Sequence, residues 1–267
     1  MADHLKALSI RINDLALLEA AASFDLHDPD ERRRSTGQLE RLFFQLVRVL
    51  QPDLFVEAGA NDASASCRAR GLLPQANIVA FEANPLVHGR HEGSDRIGRA
   101  RIEYVHRALS DEVGSVSFNL MQAEDGTPQA DGNGSLLRHQ DQPHGFTEVE
   151  VEATPLDTYL AVKTHSRCAL WVDVEGASRQ VLTGARRTLD RADVVMIEVE
   201  DRAFWGQDWL RADVVSFLYD RGLLAVARDF QARYLYNIVF VRESLLEVDR
   251  VRWALTLHRS ESATGSR

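Results

Sequence analysis

Short, unbroken apolar runs alternate with helix-periodic stretches along most of the chain. DLFVEAG (53–59), NIVAFEA (77–83), ARIEYVHRAL (100–109), ALWVDV (169–174) and DVVMIEV (193–199) are apolar enough to be covered on both sides. Helical spacing fills Asp62–Leu73, Ala177–Leu189 and Trp209–Arg221, with a helix or loop over 85–96. Continuous apolar strands separated by helices predict a parallel sheet with helices on both faces. LLAVARDF (223–230) and YNIVFVR (236–242) follow each other without a helix, which predicts a closing antiparallel pair.

The middle of the chain has a different period. VGSVSFNL (113–120) and TEVEVEAT (147–154) alternate every second residue, as half-exposed antiparallel strands do. Between them lies 121–146, rich in Gly, Asp, Gln and Pro. A loop that long inside a compact domain is either a surface insertion or a lid over substrate. At the N-terminus, Leu5–Ala22 has helical spacing, DLHDPDERRRS (25–35) breaks it, and Ser35 or Thr36 is placed to cap a second helix. That helix shows Leu39, Leu42, Phe43, Leu46, Val47 and Leu50 on one face. A last helix over about 243–257 precedes a polar tail. The expected organisation is a helical extension (1–51), one α/β domain (52–258) and a disordered tail (259–267).

Composition narrows the partners. The chain has 267 residues, 45% hydrophobic, with a net charge of −9. There is no basic excess to neutralise phosphates, so nucleic acid is not an expected partner. No run of 18 apolar residues exists, so no membrane-spanning helix is expected. The first residues lack the charged and apolar regions of a secretory leader, and the expected location is cytoplasmic. Cys67 and Cys168 match no metal spacing and read as two reduced thiols. The oligomeric state stays open, with a homo-oligomer allowed.

The chemistry gathers at the strand ends. In open α/β sheets, ligands bind beyond the C-terminal ends of the strands. Here those ends read Glu57-Ala58-Gly59-Ala60-Asn61-Asp62, Glu82-Ala83-Asn84-Pro85, Asp173-Val174-Glu175-Gly176 and Glu198-Val199-Glu200-Asp201. A rim this acidic suits a cationic or hydroxyl-rich ligand and repels a pyrophosphate. G-x-G-x-x-G is missing after the first strand, and no P-loop is present. Glu82 lies about 25 residues beyond Glu57, the usual place for a carboxylate that accepts both hydroxyls of a ribose. A nucleoside with a positive group and no phosphates fits, and S-adenosylmethionine is one. Gly59 would let backbone approach that ligand closely, and Glu57 would balance its charge. A non-catalytic nucleoside- or nucleotide-binding module is the alternative, and an NAD-dependent oxidoreductase, short of glycines, comes third.

Taken in order, FVEAGANDAS, VAFEANP, HRALSDEVGSVSF, EVEATPLDTYL, LWVDVEGASRQVLTGARRTL and VVMIEVE resemble the FkbM family of S-adenosylmethionine-dependent methyltransferases, over about residues 53–200. The resemblance implies a class I methyltransferase fold. That is a Rossmann-like, seven-stranded, mostly parallel sheet with helices on both faces, here with a helical extension and an inserted antiparallel pair. It also implies transfer to a hydroxyl oxygen of a sugar or secondary metabolite, so the expected acceptor is a small molecule or glycan. Cofactor contacts are implied at Glu57, Gly59, Asn61 and Glu82, and near Arg107 and Ala108. Asp173, Glu175 and Gly176 fall on the family's most recognisable motif. Two positions depart from it: Glu57 where Asp is usual, and Ala63 where a glycine is common.

A hydroxyl is a weak nucleophile, so a base within reach would help. Asp173, with Glu175 beside it, is the candidate base or acceptor-orienting group, and Asp173 also borders the cofactor. A helix-capping role is the bland alternative. A third option is a hard divalent cation on Asp173, Glu175 and Glu200, which would lower the acceptor's pKa. Ser135, His139 and His144 in the loop, with Glu200 and Trp205 on the rim, are candidate acceptor contacts, though loop histidines are usually just exposed and a tryptophan here can equally be core.

Overall fold

The computed structural model describes residues 7, 8, 10–12, 14–17, 24–129, 134–163 and 165–264. Parts of the expected N-terminal extension (residues 1–6, 9, 13 and 18–23) and of the long loop (130–133) lie outside the described residues, as do 164 and 265–267.

The apolar runs form the strands expected of them. β1 (Leu54–Ala58), β2 (Asn77–Glu82) and β3 (Glu103–His106) run parallel with β8 (Cys168–Val172) and β9 (Ala192–Glu200). β10 (Leu223–Arg228) and β11 (Leu235–Arg242) are antiparallel, and β11 slots between β9 and β10. The order across the sheet is β3-β2-β1-β8-β9-β11-β10. A second sheet, β4-β7-β5-β6, is built from β4 (Ala108–Leu109), β5 (Gly114–Met121), β6 (Gly134–Ser135) and β7 (Phe146–Thr154). The run 100–109 was expected to be one strand, but it is divided between the two sheets at Arg107. The Arg107 N–H bonds the Glu82 carbonyl at 3.1 Å, and Ala108 then pairs with Ala153.

Strand alternation sorts the side chains between two cores. Leu54, Val56 and Ala58 face one side with Leu170 and Val172. Phe55, Ala169 and Met196 face the other, packed by α1 (Pro29–Leu50), α2 (Ser64–Leu72) and α9 (Asp249–Thr264). Between α2 and α9 come α3 (Pro85–His91), α4 (Asp95–Arg99), α5 (Leu156–Tyr159), α6 (Ser178–Gly184), α7 (Arg186–Leu189) and α8 (Arg211–Tyr219). Continuing the alternation places Glu57, Asp173, Glu198 and Glu200 on the α1 side of the sheet.

Two helix ends differ from expectation. α1 begins at Pro29, six positions before Ser35, because the Asp28 carboxylate accepts the Asp30 N–H at 2.8 Å and Pro29 is preset for a first turn. Ser35 instead faces inward, accepting the Phe230 N–H at 3.0 Å and tying α1 to the end of β10. The C-terminal helix runs on to Thr264, through residues expected to form a disordered tail.

Candidate active site

Glu57, next to last in β1, is buried inside the protein. Its carboxylate accepts the Ser66 N–H at 2.8 Å, taking up a donor that the first turn of α2 would otherwise leave unsatisfied. Burial pushes this carboxyl up to about 7 from 4.5, with the charge of Asp62 adding to the effect. A carboxyl whose folded value lies above its unfolded one binds a proton more readily in the native state. Stability is therefore lost as pH rises from 4.5 through 7. Glu57→Gln keeps an acceptor for Ser66 and removes the titration. Its stability relative to wild type should rise between pH 5 and 8 by up to roughly 3 kcal/mol. Denaturant midpoints across that range check it, and parallel curves would refute it.

Gly59 has φ +78°, and a Cβ there would lie 1.7 Å from the Asp173 carbonyl oxygen. Its missing side chain thus makes room for the neighbouring strand end, and Gly59 also lines the cleft described below. The turn continues with Asn61 at φ +45° and Ala63 at φ +57°. Ala63 holds the left-handed backbone that the usual glycine would adopt, at a cost of about 1 kcal/mol. Glu82 braces this turn: one oxygen accepts the Asn61 N–H at 2.8 Å and the other the Asn84 N–H at 2.7 Å. Burial raises its proton affinity against both bonds.

The end of β8 meets the end of β9. Since Val172 pairs with Ile197, the next residues, Asp173 and Glu198, come level. One oxygen each from Asp173, Glu175 and Glu198 lie within 4.8 Å of one another. Burial raises the Asp173 carboxyl, and burial with the charges of Asp173, Glu175 and Glu200 raises Glu198 well above the usual range. The expected trio had Glu200 in place of Glu198. Glu200 lies two residues further along β9, bonded by Gln207 and pushed up to about 7 by burial. Glu198 was visible among the strand-end acids, but only the β8–β9 register shows which of the two stands beside Asp173.

Two hollows meet at Gly59, Asn61 and Asp173. One, about 740 Å³ to its open mouth, is bounded by Glu82, the Arg107–Ala108 turn, Phe81 and Leu109, with Phe118 and Leu136 from the second sheet across from them. The other, about 690 Å³, lies toward α1 and α2 and is bounded by Glu40, Phe44, Glu57, Arg68 and Trp171. Phe118 and Leu136 escaped notice because nothing in the sequence says where the second sheet sits.

The loop candidates separate. Ser135 is buried, and its hydroxyl donates to the Glu175 carbonyl at 2.6 Å, fastening β6 to the acidic turn. Glu175 itself is at φ +50°. His139 is half-buried against Phe204 and Trp205, with ring centres 6.0 and 5.0 Å away, and its Nδ1 accepts the Asp141 N–H. His144 is exposed and borders neither hollow. Trp205 is buried over Gly176, where a Cβ would come within 2.7 Å of its ring, so it is packing rather than a platform for a sugar. The Arg107 guanidinium is engaged by Glu152, and Ala108 is buried against the first hollow.

A family model described as the methyltransferase FkbM domain matches residues 57–238. The 2-O-methyltransferase NoeI of Sinorhizobium fredii (strain NBRC 101917 / NGR234) is 28% identical over 191 residues, which are 67% of this chain and 77% of that protein. Among solved structures, the FkbM methyltransferase of Methylobacillus flagellatus KT aligns with TM-score 0.45 and 12% identity over 71% of this chain. This chain spans less than half, 44%, of that one. An O-methyltransferase from Bacillus cereus in complex with SAH aligns with TM-score 0.40 and 13% identity, covering 88% of this chain and 89% of the other.

Proposed function

The chain belongs to the FkbM methyltransferase family, and from that premise we propose that it moves a methyl group to a hydroxyl oxygen of a small-molecule or glycan acceptor. It is an S-adenosylmethionine-dependent methyltransferase, and that cofactor supplies an electrophilic methyl on a positively charged sulfur. Oxygen as the acceptor atom is supported by the name of the relative from Sinorhizobium fredii, a 2-O-methyltransferase.

The observation that carries the reading is that three carboxylates of the rim, Asp173, Glu198 and Glu200, meet no cation among the described residues, whereas Asp62 and Asp201 at its edges pair with Arg96 and Arg211. Such a rim favours a cation over a neutral or anionic ligand. Glu82 has used one lone pair on each oxygen for backbone, which leaves one on each for the two ribose hydroxyls. Phe81, Leu109 and Phe118 offer apolar walls for a base. Asp173, common to both hollows, orients the acceptor hydroxyl and receives its proton as the oxygen–carbon bond forms. A nicotinamide dinucleotide fits poorly, because its pyrophosphate would face Glu82, Asp173 and Glu175. No described helix is long and apolar enough to cross a membrane.

The test is methyl transfer from isotope-labelled cofactor to a panel of sugars and polyhydroxylated small molecules. The label should appear as an O-methyl ether on an acceptor hydroxyl. Label recovered only on nitrogen or carbon, across acceptors that carry all three, would overturn the assignment of oxygen.

A further inference from the structure

We propose that Asp173, Glu175 and Glu198 hold one hard divalent cation, of the magnesium or manganese class, at the mouth shared by the two hollows. Three carboxylates each offer an oxygen, and these oxygens lie within 4.8 Å of one another. Asp173 lines both hollows and Glu175 the first, so the cluster opens onto the site rather than into the core. A group of acids alone would say little. The independent observation is Glu198, which is only 7% exposed and whose Oε1 has no hydrogen-bond partner. A buried carboxylate oxygen left bare is costly, and such atoms call for a partner outside the protein.

The sulfonium of the cofactor does not remove that need. The sulfonium itself carries one positive charge and no N–H; the cofactor's amino group does carry N–H donors, and Mn²⁺ binding in the absence of cofactor distinguishes an ion from it. An ion with two charges matches the cluster better and can bond the bare oxygen directly. The donor set fixes the class of ion: all three ligands are carboxylates, with no histidine or cysteine among them, which suits magnesium, manganese or calcium rather than zinc or copper. Ions of this class keep further positions for water or for an acceptor hydroxyl, whose proton they make easier to remove. That last role rests on the methyltransferase reading above, whereas occupancy of the site does not.

The experiment titrates Mn²⁺ into chelator-treated protein and follows the loss of the free-ion electron paramagnetic resonance signal. One saturable site is expected, emptied by excess Mg²⁺. Glu198→Gln and Glu175→Gln should each weaken it at least about tenfold, since each removes one anionic ligand. If Glu198→Gln does not fold, Glu175→Gln alone decides. The same preparations are titrated with S-adenosylhomocysteine. Absence of saturable Mn²⁺ binding to the wild type, or unchanged binding in the folded variants, overturns the ion site whatever S-adenosylhomocysteine does. Failure of S-adenosylhomocysteine to bind while Mn²⁺ binds as expected overturns the cofactor reading and supports the ion site.

Discussion

Asp173→Asn lowers kcat by about 10²- to 10⁴-fold, the usual contribution of a positioned acid or base, without lowering thermal stability. Asparagine keeps the size of the side chain and can hydrogen-bond Glu198, and it removes one of the charges that crowd the cluster. S-adenosylhomocysteine, uncharged at sulfur, should bind nearly as before. Loss of activity with stability kept or gained is what a functional carboxylate gives, because its cost to the fold was the repulsion now relieved. A residue that only capped the following turn would leave both turnover and stability close to wild type, since asparagine caps as well as aspartate. Single-turnover transfer and calorimetric melting of the same sample make the comparison. Turnover equal to wild type would remove Asp173 from the chemistry.

Glu82→Ala weakens S-adenosylhomocysteine binding by roughly 30- to 100-fold, or about 2–3 kcal/mol. Two losses combine. The carboxylate leaves the cleft, taking with it the acceptors proposed for the ribose hydroxyls. The Asn61 and Asn84 N–H groups also lose their partner, so the turn beginning at Gly59 is no longer pinned to the end of β2. Glu82→Gln should fall between, because its amide has one oxygen to offer two backbone donors, and its NH₂ meets a donor on the other side.

Much of this site follows from side-chain parity. Phe55 and Glu57, Trp171 and Asp173, and Met196, Glu198 and Glu200 each step by two along a strand, so the acids had to emerge on one side of one rim. The parallel core was equally plain, because only strands covered on both faces carry runs such as DVVMIEV. What stayed hidden depends on distances between strands. Nothing in the spacing puts β11 between β9 and β10, or levels Glu198 rather than Glu200 with Asp173. Gly59 and Gly176 were read as ligand or motif glycines, and the sequence did not show that their missing side chains also make room for the Asp173 carbonyl and the Trp205 ring. The cap of α1 was available in Asp28-Pro29, but the polar stretch 25–35 was read as a break; in the helix Arg33 is exposed, while Arg32 and Arg34 are half-buried.

The central claim is that the cleft between Glu82 and Asp173 is the seat of S-adenosylmethionine. Isothermal titration of wild type and Glu82→Ala with S-adenosylhomocysteine, and of wild type with NAD, tests it most directly. The account predicts one S-adenosylhomocysteine per chain, affinity lowered as stated in Glu82→Ala, and no response to NAD. Tight NAD binding with no heat from S-adenosylhomocysteine, or equal S-adenosylhomocysteine affinity in the two proteins, would contradict it.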